Sequence, residues 1–429
     1  MSLSYEYDPW TGSPKFTISV SDLLRGIFRP QELDRAEEFI NVRSLMTSER
    51  GKLARLAMGY YAPRLDGVNL RHDLWDTNII ALDSWMVDDN PIDLFSPADR
   101  LKLTMRGPKK GFYAPFYAQD YFPWKGKYSV TLSEMNKRIG EKYEIPEELK
   151  PVLKNWPTYE LVGFQSGERL ELTCERGQYF EYVDTCELLF YEFAMAVQVN
   201  FLKKSKSPKA EKMKDSSLPV RNKVDILDFD NRSVGIGINT LLLVRSIDNI
   251  WQFYVHRRPA GAIMEAANTI HVVPAGTFQP RRNMPENPDR DFDIYRNVLR
   301  EFGEEMLGKE EWQQVKTAVA DIVDDPIIAP FHELFESGAA RVFFLGFGLD
   351  PLTTKAEFIT AMVLNEMNYY ESFGRLLRFT HNWEGDFAPR LFDEDNVLEF
   401  VKYVKMLPAG AACLHLAWQC RDFLKESIL

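Results

Sequence analysis

DFDIYRNVLREFGEEML, Asp291 to Leu307, is the stretch on which the reading of this chain turns. It sets Phe292, Tyr295, Leu299, Phe302 and Met306 at helical intervals, so one apolar stripe runs along a helix and must face a core. At about 3.6 residues per turn, Glu301, Glu304 and Glu305 fall together beside that stripe. Carboxylates gathered on one helix face repel each other, and helix propensity gives no reason to gather them. A hard divalent cation, Mg2+ or Mn2+, would relieve the repulsion by taking their oxygens as ligands and bridging them to substrate phosphates. The alternative is a solvated glutamate-rich face.

Working outward, Val234 to Val244 (VGIGINTLLLV) and Trp251 to His256 (WQFYVH) read as strands joined by a turn at Asp248 and Asn249. Thr269 to Val273 reads as a third strand. Downstream, the pattern predicts a helix over Lys309 to Val323, a buried strand over Val342 to Phe347 and a helix over Lys355 to Glu366. A strand over Arg375 to Thr380 and an apolar helical segment over Pro408 to Leu429 follow. This order of elements suits a sheet sandwiched between helices.

The sharpest break in composition is KKSKSPKAEKMKDSSLP, Lys203 to Pro219, with six lysines and no aromatic residue. It divides the chain into an α+β region at 1–202, a Lys/Ser-rich linker at 203–223 and an α/β/α domain at 224–429. A basic arm for a polyanion is the linker's alternative role. Upstream, Lys127 to Ser133, Thr158 to Phe164 and Arg169 to Cys174 read as strands, and Thr185 to Phe201 as a buried helix. Leu53, Leu56, Ala57 and Tyr60 recur at helical spacing behind a cap at Ser48. Within that helix LARLAMGYY loosely resembles the start of a helix-turn-helix, but Pro63 and the turn-prone Asp66 to Asn69 intervene where a second helix would stand, so an amphipathic helix is expected. His72 and Asp73, beside Trp75 and Asp76, form a polar cluster that reads as a surface loop or a small ligand site.

With 429 residues, 45% apolar and 13% aromatic, the chain is long enough for two cores or one large one. It contains no uncharged apolar run of roughly eighteen residues, and MSLSYEYDPW lacks the features of a secretory leader, so the expected place is the cytoplasm, with no membrane partner. Cys174, Cys186, Cys413 and Cys420 fit neither a metal clip nor a disulfide framework and are expected to be reduced, buried thiols. The net charge of −11 disfavours nucleic acid as a partner while leaving room for a local basic face. An acidic protein that handles phosphates needs a cation between them.

REFGEEMLG, Arg300 to Gly308, preceded by VPAGTFQP, Val273 to Pro280, resembles the loop-helix-loop signature of the Nudix hydrolase superfamily. The resemblance implies a Nudix-like fold for the C-terminal domain. It also implies divalent-metal-dependent hydrolysis of a nucleoside diphosphate linked to another moiety, with water as nucleophile. By that likeness Gly276 leads the loop, Arg300 orients the acidic cluster, Glu301 is metal ligand or general base, and Glu304 and Glu305 bind metal. Arg257 and Arg258, which follow His256 at a strand end, and Arg281 and Arg282, with Arg290 in the same loop, are candidate contacts to a nucleotide-like ligand; a solvated strand end and loop is the alternative.

This chain departs from the signature in three places. The stretch between Gly276 and Arg300 is longer, and the glutamate expected midway falls at Phe292, with Asp291 or Asp293 as stand-ins. The glycine expected after the Glu pair is Leu307, one place before Gly308. Those departures motivate a second expectation, a catalytically degenerate sensor of a nucleotide-like ligand, as in Nudix-like modules of large bacterial proteins of regulatory type. DNA binding through the N-terminal helices is a third, against the charge. His332, Glu333, Glu336, Asp350 and His381 are further candidates for a base after the helix, each also readable as a cap or a solvated side chain. His415 reads as a satisfied core residue.

Overall fold

A computed structural model of the chain describes residues 5–7, 14–16, 39, 41–87, 90–97, 100–107, 123–124, 128–129, 131–142, 154–167, 169–202, 218, 220–257, 269–281, 290–307, 321–374, 386–402 and 406–428. In chain order the elements used below are α1 (Arg50–Tyr61), β1 (Ile92–Asp93), β2 (Leu101–Met105), α2 (Leu132–Lys142), β3 (Pro157–Gln165), β4 (Leu170–Gln178) and α3 (Leu188–Leu202). Then come β5 (Ile236–Arg245), β6 (Trp251–Arg257), β7 (Ile270–Val272), β8 (Ala275–Thr277), α4 (Ile294–Glu305), α5 (Ala329–Glu336), β9 (Ala340–Leu349) and β10 (Ala356–Asn365). The chain closes with α6 (Glu366–Phe373), β11 (Asp386–Leu391), α7 (Glu394–Lys402), α8 (Pro408–Gln419) and α9 (Arg421–Glu426).

The centre of the molecule is an eight-stranded mixed sheet in the order β7-β6-β5-β10-β9-β1, with β8 also paired to β5 and β11 to β6. β5 and β10 run parallel in register from Ile236/Ala356 to Arg245/Asn365, while the other pairs are antiparallel. Both central strands are buried on nearly every residue, because helices cover both faces of the sheet. On one face lie α4 and α5, locked by a Phe302–Phe331 stack with centroids 4.0 Å apart. On the other lie α7 and α8: Phe253 of β6 meets Phe400 edge-on at 5.4 Å, and the Cys413 thiol donates to Asn239 O at 3.2 Å.

Residues from before position 203 enter this same core. β1 extends the sheet beside β9, and a second, three-stranded sheet, β2-β4-β3, abuts it where Leu161 N donates to Val234 O at 2.9 Å and Tyr159 N to Phe278 O at 3.1 Å. Arg221, 2% exposed, donates to Tyr61 Oη at 2.6 Å, Leu189 O at 2.8 Å and Pro351 O at 2.9 Å, so one guanidinium joins α1, α3 and the β9–β10 turn. Arg50 pairs with Asp350 at 3.0 Å across the same junction.

Most expected strands appear within a residue or two, but four readings change. Residues 356–365 form strand β10, not a helix over Lys355 to Glu366: a strand apolar on both faces has no alternation to betray it. The strand expected over Lys127 to Ser133 is only Tyr128–Ser129, and Ser133 already belongs to α2. Ser48 is not the cap of α1; residues 41–48 are themselves helical and Glu49 precedes the helix without a side-chain cap. The amphipathic helix expected there is α1, with Leu53, Ala54, Ala57 and Tyr60 buried in the core. Of the helix expected over Lys309 to Val323, residues 309–320 lie outside the described residues, and Ile322–Asp324 is a single tight turn. The strand expected over Arg375 to Thr380, His381 and most of the 203–219 segment also lie outside them. Among the described residues no helix is long and apolar enough to cross a membrane.

Asp184 sits in a wide π-type turn, Val183–Glu187, at the start of α3. Its carboxylate accepts from Ser133 N at 2.7 Å and Ser133 Oγ at 2.8 Å, which fixes the first turn of α2. Burial pushes its pKa up to about 6 despite those hydrogen bonds. The folded protein therefore keeps a proton that the unfolded chain loses near pH 4, so this group's contribution is full at low pH and is lost as pH rises toward 6. We expect this group to lower the unfolding free energy by about 3 kcal/mol between roughly pH 3 and pH 7. Denaturant titrations across that range should give a flatter slope for Asp184→Asn; parallel slopes for the two proteins would contradict it.

Candidate functional site

The helix that carries the acidic cluster is positioned at both ends. At its start Asp293 accepts from Arg296 N at 3.0 Å and so caps α4, while Arg296 pairs with Asp321 at 2.9 Å. Asp291 is held by Arg281, which donates from its backbone N at 2.8 Å and from Nε at 2.9 Å. Both aspartates are thus engaged away from the glutamates. Farther along, a Cβ on Gly303 would lie 2.6 Å from Ile328 Cδ1, so only glycine lets α4 approach the segment leading into α5 this closely.

Arg300 is 3% exposed and is the hub of the site. Its Nη1 donates to Gln279 O at 2.9 Å, and its Nη2 to Thr277 O at 3.1 Å and to Glu301 Oε1 at 2.5 Å. Burial would favour losing the proton, yet the charges of Glu301 and Glu304 and the hydrogen bond to Glu301 outweigh it and raise the pKa of Arg300. Glu301 turns its carboxyl group against β8: a Cβ at Gly276 would fall 2.2 Å from its Cδ. One helical turn on, Glu305 is 2% exposed and accepts from Ala275 N at 3.0 Å. Glu304 is only partly buried.

The fold therefore brings Gly276, Arg300, Glu301 and Glu305 into contact or close approach across one strand and one helix, with Glu304 at the margin. Arg281 is buried in its pair with Asp291, and Arg257 is exposed at the end of β6. Arg258, Arg282 and Gly308 lie outside the described residues. His332 meets Tyr295 Oη at 2.7 Å on the α4–α5 surface, with Glu336 of its own helix 3.9 Å away. Asp350 is committed to Arg50 and to the backbone of its own turn, with Leu352 N at 2.9 Å and Thr353 N at 3.0 Å.

Two readings of histidine and cysteine need adjustment. His415 is not a core residue: it is partly exposed and lies 3.3 Å from Asp73, whose carboxylate also accepts from Gln419 Nε2 at 2.6 Å. The Asp73 cluster is thus a contact between the His72–Thr77 turn and α8. All four cysteines are free; Cys174, Cys186 and Cys413 are buried, and Cys420 is half-buried.

Across the sheet from α4 is a polar network that sequence reasoning missed. Asn239 Nδ2 donates to Glu357 Oε2 at 2.9 Å, Asn239 Oδ1 meets His271 Nε2 at 2.9 Å, and Lys355 pairs with Glu357 at 3.5 Å. The only signal for it is polar residues inside otherwise apolar strands.

At the α4 site three carboxylates stand beside one guanidinium, and the Glu301 carboxylate fills the space that Gly276 leaves. Among the described residues, however, no three His, Cys, Asp or Glu side chains form a ready-made metal-holding group. A methyl group at Gly276 would displace the Glu301 carboxylate. Gly276→Ala should cost about 1–3 kcal/mol in chemical denaturation; unchanged stability would mean that Glu301 is not packed on this strand. No family model matches the chain, and no curated protein matches it.

Proposed function

We propose that α4 and β8 form a Nudix-like centre that hydrolyses a nucleoside diphosphate linked to another moiety, with Mg2+ or Mn2+ bound at Glu301, Glu304 and Glu305. The observation that carries this reading is the buried Arg300–Glu301 pair pressed on Gly276, with Glu305 tied to the neighbouring residue of the same strand. A carboxylate gripped on one oxygen by a sealed guanidinium has a fixed direction, which is what a base or a metal ligand requires. The bound cation supplies Lewis-acid polarisation of the diphosphate and a more acidic water.

In this reading Arg300 is the positioning residue. It holds Glu301 Oε1, leaving Oε2 to take the proton of the attacking water. Glu305 is fixed by Ala275 N–H, and Glu304 adds charge from the rim. The exposed Arg257 is the basic group on hand for a phosphate-bearing, nucleotide-like ligand.

A second reading, a ligand-sensing module without turnover, is favoured by one feature. Glu301 and Glu305 are each already satisfied in part by donors of the protein itself, and neither Asp291 nor Asp293 supplies the missing acid.

Incubation with Mg2+ or Mn2+ and a panel of dinucleotides, nucleotide sugars and nucleoside triphosphates separates the two. Hydrolysis is expected to require metal and to fall about 100-fold or more in Glu301→Gln, the usual size of a lost general base. Turnover that survives Glu304→Gln and Glu305→Gln would refute the assignment of metal ligands. Ligand-induced thermal stabilisation without product would establish the sensor instead.

A further inference from the structure

Asn297 lies on α4 one turn before Glu301 and is 3% exposed. Its Nδ2 reaches Thr277 O at 3.4 Å, the same carbonyl that accepts from Arg300 Nη2 at 3.1 Å. The reverse amide assignment would set two acceptors against each other, so Nδ2 belongs at the carbonyl. Two polar atoms beside this carbonyl are left over. Among the described residues neither Asn297 Oδ1 nor Arg300 Nε has a hydrogen-bond partner, although both are buried. One is an acceptor and the other a donor. They sit three residues apart on one helix face, with both side-chain heads converging on Thr277 O.

A buried acceptor or donor without a partner costs about 1–3 kcal/mol, so a complementary donor and acceptor on two side chains that share the Thr277 carbonyl call for a molecule that satisfies both. A hydroxyl does this: its oxygen accepts one hydrogen bond and its proton makes another. We propose that Asn297 Oδ1 and Arg300 Nε–H together bind one hydroxyl group beside Glu301, making Asn297 a binding residue of this centre. The hydroxyl oxygen accepts from Arg300 Nε–H, and its O–H donates to Asn297 Oδ1. The group is either an ordered water or a hydroxyl of the ligand, since the two present the same donor and acceptor. This rests on reading α4 as the functional centre, but its test does not rest on turnover.

Crystal structures of the full chain alone and with ADP-ribose decide the source. Density within hydrogen-bond distance of both atoms in the ligand-free crystal identifies a water, and density there only with ADP-ribose identifies a ligand hydroxyl; either result supports the proposal. Asn297→Leu removes the acceptor at similar volume. It is expected to abolish that density and to lower the unfolding midpoint by about 2 °C, or, for a ligand hydroxyl, to abolish most of the ADP-ribose-induced midpoint shift. If both wild-type crystals lack density between the two atoms, the proposal is overturned, and Asn297→Leu is then expected to stabilise the protein by removing an acceptor that was merely unsatisfied. A wild-type protein that shows the density but hydrolyses nothing would sink the hydrolase reading and leave this one standing.

Discussion

The arrangement around α4 follows from burying one guanidinium. A cation as enclosed as Arg300 must be met by acceptors or it destabilises the fold. Two of its acceptors are backbone carbonyls, Thr277 and Gln279, which obliges the chain leaving β8 to turn its carbonyls toward the helix. The third is Glu301, the next residue, whose carboxyl group must then lie over β8, where only a glycine leaves room. Helix, strand exit and Gly276 are thus set by one charge. The chemistry proposed for Glu301 depends on that rigidity more than on the number of acids nearby.

Aromatic residues line the α4 side of the sheet, and a polar network lies on the other side. Phe278, Phe292 and Tyr159 pack together on the α4 side, with ring centroids 4.7 to 5.7 Å apart. The opposite face holds Asn239, His271, Glu357 and Lys355 beneath α8. Burial raises the pKa of Glu357, and Lys355 and Asn239 only partly offset it. A buried carboxylate of this kind is held by geometry, since Gly237 on the neighbouring strand leaves the space its oxygen occupies.

What the sequence revealed tracks what leaves a periodic trace. The stripe from Phe292 to Met306 has the period of a helix with one buried face, and α4 lies where that stripe predicts. β5 and β6 are marked by β-branched and aromatic runs ending at turn residues. β10 was hidden, because AEFITAMVLN packs against helices on both faces and apolar length alone does not separate strand from helix. The Arg300–Glu301 pair was expected only through the likeness of REFGEEMLG to a known signature, not from periodicity or spacing. Its partners Thr277 O and Gln279 O were not, since a backbone carbonyl has no letter in the sequence. Asn297 went unnoticed for a related reason: a lone asparagine in a helix is commonplace until its neighbours are known. The N-terminal arginines Arg43 and Arg50 pair with Glu187 and Asp350, 144 and 300 residues away, a distance at which no spacing rule applies.

Arg221 follows the lysine-rich stretch and ties α1 and α3, which precede it, to the β9–β10 turn, and this has a consequence for dissecting the chain. A fragment starting at Val224 would forfeit that guanidinium and uncover the edge of β9 where β1 docks. A protease nick between 203 and 217 removes none of these contacts. The two pieces should therefore stay clasped through gel filtration and behave as a complementing pair, whereas each one expressed separately would present raw apolar surface to solvent.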